Sequence, residues 1–280
     1  MDTAIRDIEF LARSAHRVAV LETLAESPRD RRDLCAATDA SNPTVGRIIR
    51  DFEDRGWIVR DDGRYELTLL GEFVTERFAE LWSGMSTART LRDVWQWLPH
   101  EMDGFTVDLF EDAEVAAPGP EYPYRPIKRV TQLLESTDAI RGFGTTLYKS
   151  GNLEVFCQRV IDGMNTEYIY SPQILRAIVA WNPSLTAEAL ARENCTILLH
   201  DALPDDDRCG LNIMDDRIGI CGHDRESAQL EAVIDTPAAE ARAWADEIYE
   251  KQRREARPFD PEEFFQADPG HDRQLGVEPR

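Results

Sequence analysis

Lysine is almost absent from this chain of 280 residues: only Lys128, Lys149 and Lys251 occur, and the other 29 of its 32 basic residues are arginine. Against them stand 53 acidic residues, for a net charge of −21. A broadly basic surface that holds nucleic acid by charge alone is thereby excluded, and any DNA contact has to come from a local patch. Cysteine is scarce and unpatterned. Cys35, Cys157, Cys195, Cys209 and Cys221 are odd in number and include no CxxC pair. That spacing argues against a disulfide framework or a structural zinc site and suits a reducing cytoplasm, where the protein is expected. No apolar run approaches the roughly 20 residues that span a bilayer. The opening MDTAIRDIEF is too acidic and polar for a secretory signal, so no membrane partner is expected.

The familiar motifs of catalysis are also missing. There is no GxxxxGK(S/T) loop and no GxSxG elbow. Gly142-Phe-Gly-Thr-Thr follows an expected strand but lacks the third glycine of a dinucleotide fingerprint, so it reads as a turn. His200-Asp201 and His223-Asp224 sit beside strand ends, where polar turn residues are common. Cys209, Cys221 and His223 are too few for a closed tetrahedral metal site. No catalytic residue, metal or cofactor is expected, and the chain is not expected to be an enzyme.

What is present is enough for about two domains, each with its own core. Hydrophobic residues make up 42% and charged residues 30%. The charge is unevenly placed. Residues 1–64 carry 11 arginines against 13 acids, a net of −2, while the remaining 216 carry 21 basic against 40 acidic groups, a net of −19. A DNA-facing module on an acidic protein should look like this, because phosphates repel an acidic face.

The near-neutral segment has a readable order. Ile5, Ile8, Phe10 and Leu11 mark a first helix, and Val18, Leu21 and Leu24 line a second over about Ala15–Ala25. Pro28 interrupts, Asp30 caps a short helix carrying Leu34, and Asp39-Ala40 turns. Ser41 then caps a helix with Pro43 in its first turn. Val45, Ile48, Ile49 and Phe52 form its buried stripe, Thr44, Arg47, Arg50 and Asp51 face outward, and Gly56 ends it. Trp57–Arg60 and Tyr65–Thr68 are strands joined by an Asp-Asp-Gly-Arg hairpin turn, and a helix follows over Leu70–Trp82.

The fragments TVGRIIRDFEDRGWI and YELTLLGEFV make residues 14–80 resemble the winged helix-turn-helix of archaeal and bacterial transcription regulators. That resemblance implies a recognition helix whose amino-terminal residues lie nearest the base edges. Arg47 is then positioned for a bidentate contact to guanine. Ser41, Asn42 and Thr44 fall at the same end, with Asn42 and Thr44 able to touch a base or a phosphate. Arg50, Arg60, Arg64, His16 and Arg17 are expected at phosphates. The implied partners are double-stranded promoter DNA and a second copy of the chain, since such regulators usually read two half-sites.

A helix-rich connection with Trp82, Leu91, Val94, Trp95 and Trp97 leads into alternating strands and helices. Strands are expected over 105–110, 139–143, 167–170, 195–199, 211–214, 217–221 and 230–234. Helices are expected over 127–135, 153–163, 173–180, 185–193 and 238–254. The domains are thus expected as 1–88 (winged helix with trailing helix), 89–104 (helical connector), 105–257 (α/β effector or sensor domain) and 258–280 (flexible acidic tail). The fold class is α+β and α/β, a winged helix-turn-helix followed by an α/β sensor-like domain.

IRGFGTT, EYIYSP, TILLH, GLNIMDDRIGI and AAEARAWADEIYEKQR make residues 105–255 resemble regulators of the methanogenesis-regulator type, with sugar-sensing TrmB-type regulators as a neighbouring family. The acid-rich, lysine-poor composition resembles that of cytosolic proteins of salt-accumulating haloarchaea. Ligands of α/β sheets bind beyond the carboxyl ends of strands. A small-molecule effector is therefore expected near Thr145, Thr146, Tyr148, Ser171 and His200. The expected function is a DNA-binding transcriptional regulator. The alternatives are a winged-helix protein–protein interaction module and an enzyme with a regulatory winged helix.

Overall fold

The elements of the first ninety residues follow from apolar spacing and local punctuation. In the computed structural model, which describes residues 2–144, 152–203, 208–224 and 229–260, α1 (Asp2–Ala12) and α2 (Ala15–Glu26) precede α3 (Arg31–Thr38). A reciprocal capping box starts α3: Asp33 N–H donates to Asp30 Oδ1 at 2.8 Å and Asp30 N–H to Asp33 Oδ2 at 3.4 Å. Asp39 ends α3 in the left-handed region, at φ 52°. The next helix, α4 (Asn42–Asp54), is capped by Ser41, and its buried residues are Val45, Ile48, Ile49 and Phe52.

Strands β1 (Ile58–Asp61) and β2 (Arg64–Leu67) pair antiparallel, Asp61 opposite Arg64. The two loop residues, Asp62 and Gly63, both have positive φ, 42° and 80°. That backbone twist matches the twist of the paired strands. Arg29 bridges Tyr65 from the other side. Helix α5 (Leu69–Leu91) follows. It is longer than the Leu70–Trp82 the sequence suggests.

The chain divides into two units, the first ending at Ser86 and the second beginning at Thr87. The first unit's core gathers Leu11, Val20, Leu21, Leu24, Leu34, the α4 stripe, Trp57, Ile58 and Phe78.

In the second unit, Leu91, Val94 and Leu98 are fully buried in its core, so the segment read as a connector is part of that packing. Residues 105–110, expected as a strand, form a 3-10 turn over Val107–Phe110 instead. In a strand, side chains five apart point to opposite faces. Here the rings of Phe105 and Phe110 meet at 5.9 Å, and Phe105 also meets Trp244 at 5.7 Å.

The remaining elements are β3 (Glu114–Ala116), α6 (Arg125–Glu135), β4 (Ala139–Gly144), α7 (Asn152–Ile161), β5 (Asn165–Tyr170), α8 (Pro172–Trp181), α9 (Pro183–Leu190), β6 (Cys195–Leu199), β7 (Arg208–Ile213), β8 (Ile218–His223), β9 (Leu230–Thr236), α10 (Ala239–Glu255) and β10 (Arg257–Pro258). Their eight strands form one sheet in the order β10-β6-β5-β4-β7-β8-β9-β3. Strands β4, β5 and β6 run parallel, and the other pairs are antiparallel.

One face meets α6 and α7, the other α10. On the α10 side, Arg141 pairs with Asp246 at 2.7 Å, and Glu167 accepts from Tyr249 at 2.7 Å and Arg253 at 2.8 Å. The fully buried Asp235 carboxylate is held by Arg129 at 2.6 and 2.8 Å and by Arg217. The architecture is thus a winged helix-turn-helix followed by an α/β domain. Among the described residues, no helix is long and apolar enough to cross a membrane.

Candidate nucleic-acid interface

Helix α4 is amphipathic in a way that sorts its charges. Its four buried residues lock one side into the first unit's core, and Arg47 and Arg50 stand on the opposite, exposed side. Asp51, Glu53 and Asp54 crowd the carboxyl end, and among the exposed residues the amino half carries no acid. Ser41 and Asn42 are exposed there and Thr44 is half-buried. Ser41 Oγ lies 2.9 Å from Thr44 Oγ1 and accepts from the Thr44 N–H at 3.4 Å. The helix dipole adds partial positive charge at this same end, which suits a phosphate or a guanine edge.

Arg31 belongs to this end and was not singled out from the sequence. Its guanidinium donates to the Asn42 carbonyl at 2.6 Å and lies over Gly46, where a Cβ would stand 2.1 Å from Arg31 Nη2. A glycine inside an exposed helix is the signal that would have pointed to a close neighbour.

The wing carries Arg60 and Arg64 on facing strands, both exposed. The Arg60 guanidinium lies 5.7 Å from the Tyr65 ring centroid. His16 and Arg17, at the start of α2, are differently used. His16 is exposed but its Nδ1 lies 3.1 Å from the Thr38 carbonyl. Arg17 donates to the Phe10 carbonyl at 2.6 Å, and its guanidinium sits 3.8 Å from the Phe10 ring centroid, as does that of Arg55. Burial lowers the Arg17 pKa, Asp51 opposes this, and the like charges of Arg47 and Arg55 add to it. Arg17 therefore fastens α2 to α1 rather than standing free at the surface.

Of the residues expected to hold an effector, Thr145, Thr146 and Tyr148 lie outside the described residues. Ser171 and His200 end the neighbouring strands β5 and β6, joined by the His200 N–H to Tyr170 carbonyl bond at 3.0 Å. Both have local duties. Ser171 Oγ caps α8 by accepting from the Ile174 N–H at 3.2 Å. The buried His200 accepts from the Ala202 N–H at Nδ1, at 3.1 Å, and turns Nε2 toward Glu255, 3.5 Å away.

A separate cavity of about 40 Å³ lies between the sheet and helices α6 and α7, bounded by Leu133, Phe156, Tyr168, Asn212 and Cys221. Its polar lining includes Asn152 and the Tyr168 hydroxyl, which donates to Asn212 Oδ1 at 2.7 Å. Sequence reasoning missed it because these residues come from separate elements and share no motif. Among the described residues, no three His, Cys, Asp or Glu side chains gather as a metal ion would need.

The helix-turn-helix with its two-stranded wing, joined to an α/β domain, is the architecture of a DNA-binding regulator. Residues 5–90 match the family model described as the HVO_A0261 N-terminal domain. Residues 123–255 match the middle domain of methanogenesis regulatory protein FilR1. The chain combines these two family domains.

Among solved structures it is similar to TrmBL2, an archaeal chromatin protein, at 13% identity and a TM-score of 0.40, over 91% of this chain and 99% of that one. It is also similar to NucT from Helicobacter pylori, at 11% identity and 0.40, over 52% of this chain and 98% of that one. A third is the phospholipase D family member Nuc from Salmonella typhimurium, at 12% identity and 0.39, over 52% and 97%. No curated protein matches the chain.

Proposed function

We propose that the protein is a cytoplasmic transcriptional regulator whose winged helix reads promoter DNA under the control of its α/β domain. The observation that carries this reading is the exposed side of α4. Arg47 and Arg50 project from it, Arg31 sits at its first turn, and Arg60 and Arg64 extend from the wing. Arg47 reads a base edge in the major groove, and the wing arginines and Arg50 hold phosphates. The α/β domain binds an effector or mediates assembly, and so changes the spacing of two recognition helices. No catalytic step is assigned to it.

The family models support a regulator, and the near-neutral first 64 residues support the placement of the DNA contact there. Occupied promoters are mapped genome-wide, and one such duplex is then used to measure affinity at fixed salt. Arg47→Ala weakens binding roughly 5- to 150-fold, matching about 1–3 kcal/mol for a bidentate base contact. Unchanged affinity and specificity would overturn the assignment of α4.

A further inference from the structure

The loop between β3 and α6 holds two tyrosines out in water. Tyr122 and Tyr124 are 70% and 73% exposed, and among the described residues neither ring packs on another aromatic ring or a cation. The loop is stiff. Pro118, Pro120, Pro123 and Pro126 each fix a φ angle. The Gly119 and Tyr122 backbones exchange hydrogen bonds at 3.4 and 3.1 Å, and the Arg125 N–H donates to the Tyr122 carbonyl at 3.3 Å. Beside the rings, α6 presents Arg125, Lys128 and Gln132, all exposed and spaced to share one side of the helix. With β3 as a wall they line a groove of about 740 Å³, a size usual for small-molecule sites. Its charge is unlike that of the surrounding unit. Four other cations there are neutralised in place, Arg141 by Asp246, Arg217 by Asp235, Lys251 by Asp103 and Arg253 by Glu167. Within the groove, Arg129 is likewise held by Asp235 and Glu114. Arg125 and Lys128 have no carboxylate partner among the described residues, and the unpaired acid that faces them in the lining is Glu121.

We infer that this groove binds a nucleoside monophosphate, with the base against Tyr122 and Tyr124 and the phosphate at Arg125 and Lys128. Each feature selects one part of that ligand. A flat base stacks on a bare aromatic face, and stacking, unlike charge, is not screened by salt. A phosphomonoester carries close to two negative charges at neutral pH, which two free cations match. Arg125 supplies a planar fork for two phosphate oxygens, and Lys128 a point charge. The Gln132 amide, a turn beyond Lys128, offers a donor and an acceptor to a base edge or a ribose. At a net charge of −21 the chain repels anions over most of its surface, so a local excess of free cations is where one settles. A stiff loop also loses little freedom on binding. The inference rests on the reading of the α/β domain as an effector domain and names its ligand. It places that ligand at the β3 edge of the sheet, away from Ser171 and His200 at the ends of β5 and β6.

The full chain is titrated by isothermal calorimetry with AMP, GMP, CMP and UMP in 2 M KCl. At least one is expected to bind, with a Kd below about 1 mM. The matching nucleoside and inorganic phosphate each keep only part of the contacts, and each is expected to bind at least about tenfold more weakly. Tyr122→Ala combined with Tyr124→Ala weakens nucleotide binding roughly 5- to 150-fold, and Arg125→Gln combined with Lys128→Gln roughly tenfold or more. All four side chains are exposed, so both double variants keep the wild-type circular dichroism spectrum. Failure of all four nucleotides to bind overturns the inference. So does inorganic phosphate binding as tightly as the nucleotide, or an affinity that neither double variant changes. Duplex affinity measured with and without the bound nucleotide separates the two readings. If the nucleotide binds and promoter affinity does not move, the site stands and its control over DNA reading falls. If no nucleotide binds, the DNA reading is untouched.

Discussion

Arginine does two kinds of work in the first unit, and only neighbours tell them apart. Arg47 and Arg50 are exposed on α4, while Arg17 and Arg55 are drawn to the Phe10 ring. Spacing along a helix fixes which side a residue is on, but not whether an aromatic ring from another helix claims it. Gly71 has a similarly local reason: a Cβ there would stand 1.9 Å from the Trp57 carbonyl oxygen. Because backbone yields little, Gly71→Ala should cost roughly 1–3 kcal/mol of first-unit stability, read by urea unfolding.

His223 gives the second unit a pH dependence. It is buried in β8, and burial pushes its pKa down to about 4. The unfolded imidazole titrates near 6.5. Above that pH both states are neutral and nothing is lost. As pH falls from about 6.5 toward 4, the unfolded chain takes up a proton that the folded chain refuses, so stability declines across that window, by roughly 3 kcal/mol in full. Denaturant melts at pH 7, 5.5 and 4.5 should show this decline in the wild type and a smaller one in His223→Gln, since carboxylates then contribute alone.

At the scale of elements, those with punctuation of their own were legible. The Asp30 box, the Ser41 cap, Gly56 and the Asp62-Gly63 turn each impose a backbone choice that the residues themselves carry. Gly63→Val places a branched side chain at φ 80° and should destabilise the wing by about 1 kcal/mol or more. Promoter affinity should then fall with no change in base preference, because Arg60 and Arg64 are displaced while α4 is untouched. Elements that exist only through a neighbour were not legible. Strand β3 has three residues and β10 two, and each is defined by pairing, with β9 and β6 respectively. The 105–110 segment alternates well enough for a strand, but its two rings meet each other and Phe105 meets Trp244.

Across the whole molecule, two units with separate cores imply two unfolding events. Calorimetry of the full chain should resolve two transitions, and Gly71→Ala should move only one. The acid excess has a further consequence for DNA binding. On the proposed function, counterion release contributes little at molar salt from a nearly neutral first segment, so base contacts would carry more of the affinity than usual. The slope of log affinity against log salt should therefore be shallow, corresponding to a few phosphates. A steep slope would mean that charge, not base reading, holds the complex.

By itself the sequence determined the winged helix-turn-helix, the strand-and-helix alternation of the second domain and the outward side of α4. All of these follow from periodicity and turn chemistry within short stretches of chain. Tertiary structure alone decided that Arg17 serves Phe10, that Arg31 reaches Asn42, that Tyr168 and Asn212 bound a cavity together, and that Leu81, Trp82 and Met85 are left bare. Each of those depends on which surfaces meet across elements distant in sequence, and local pattern carries no record of that meeting.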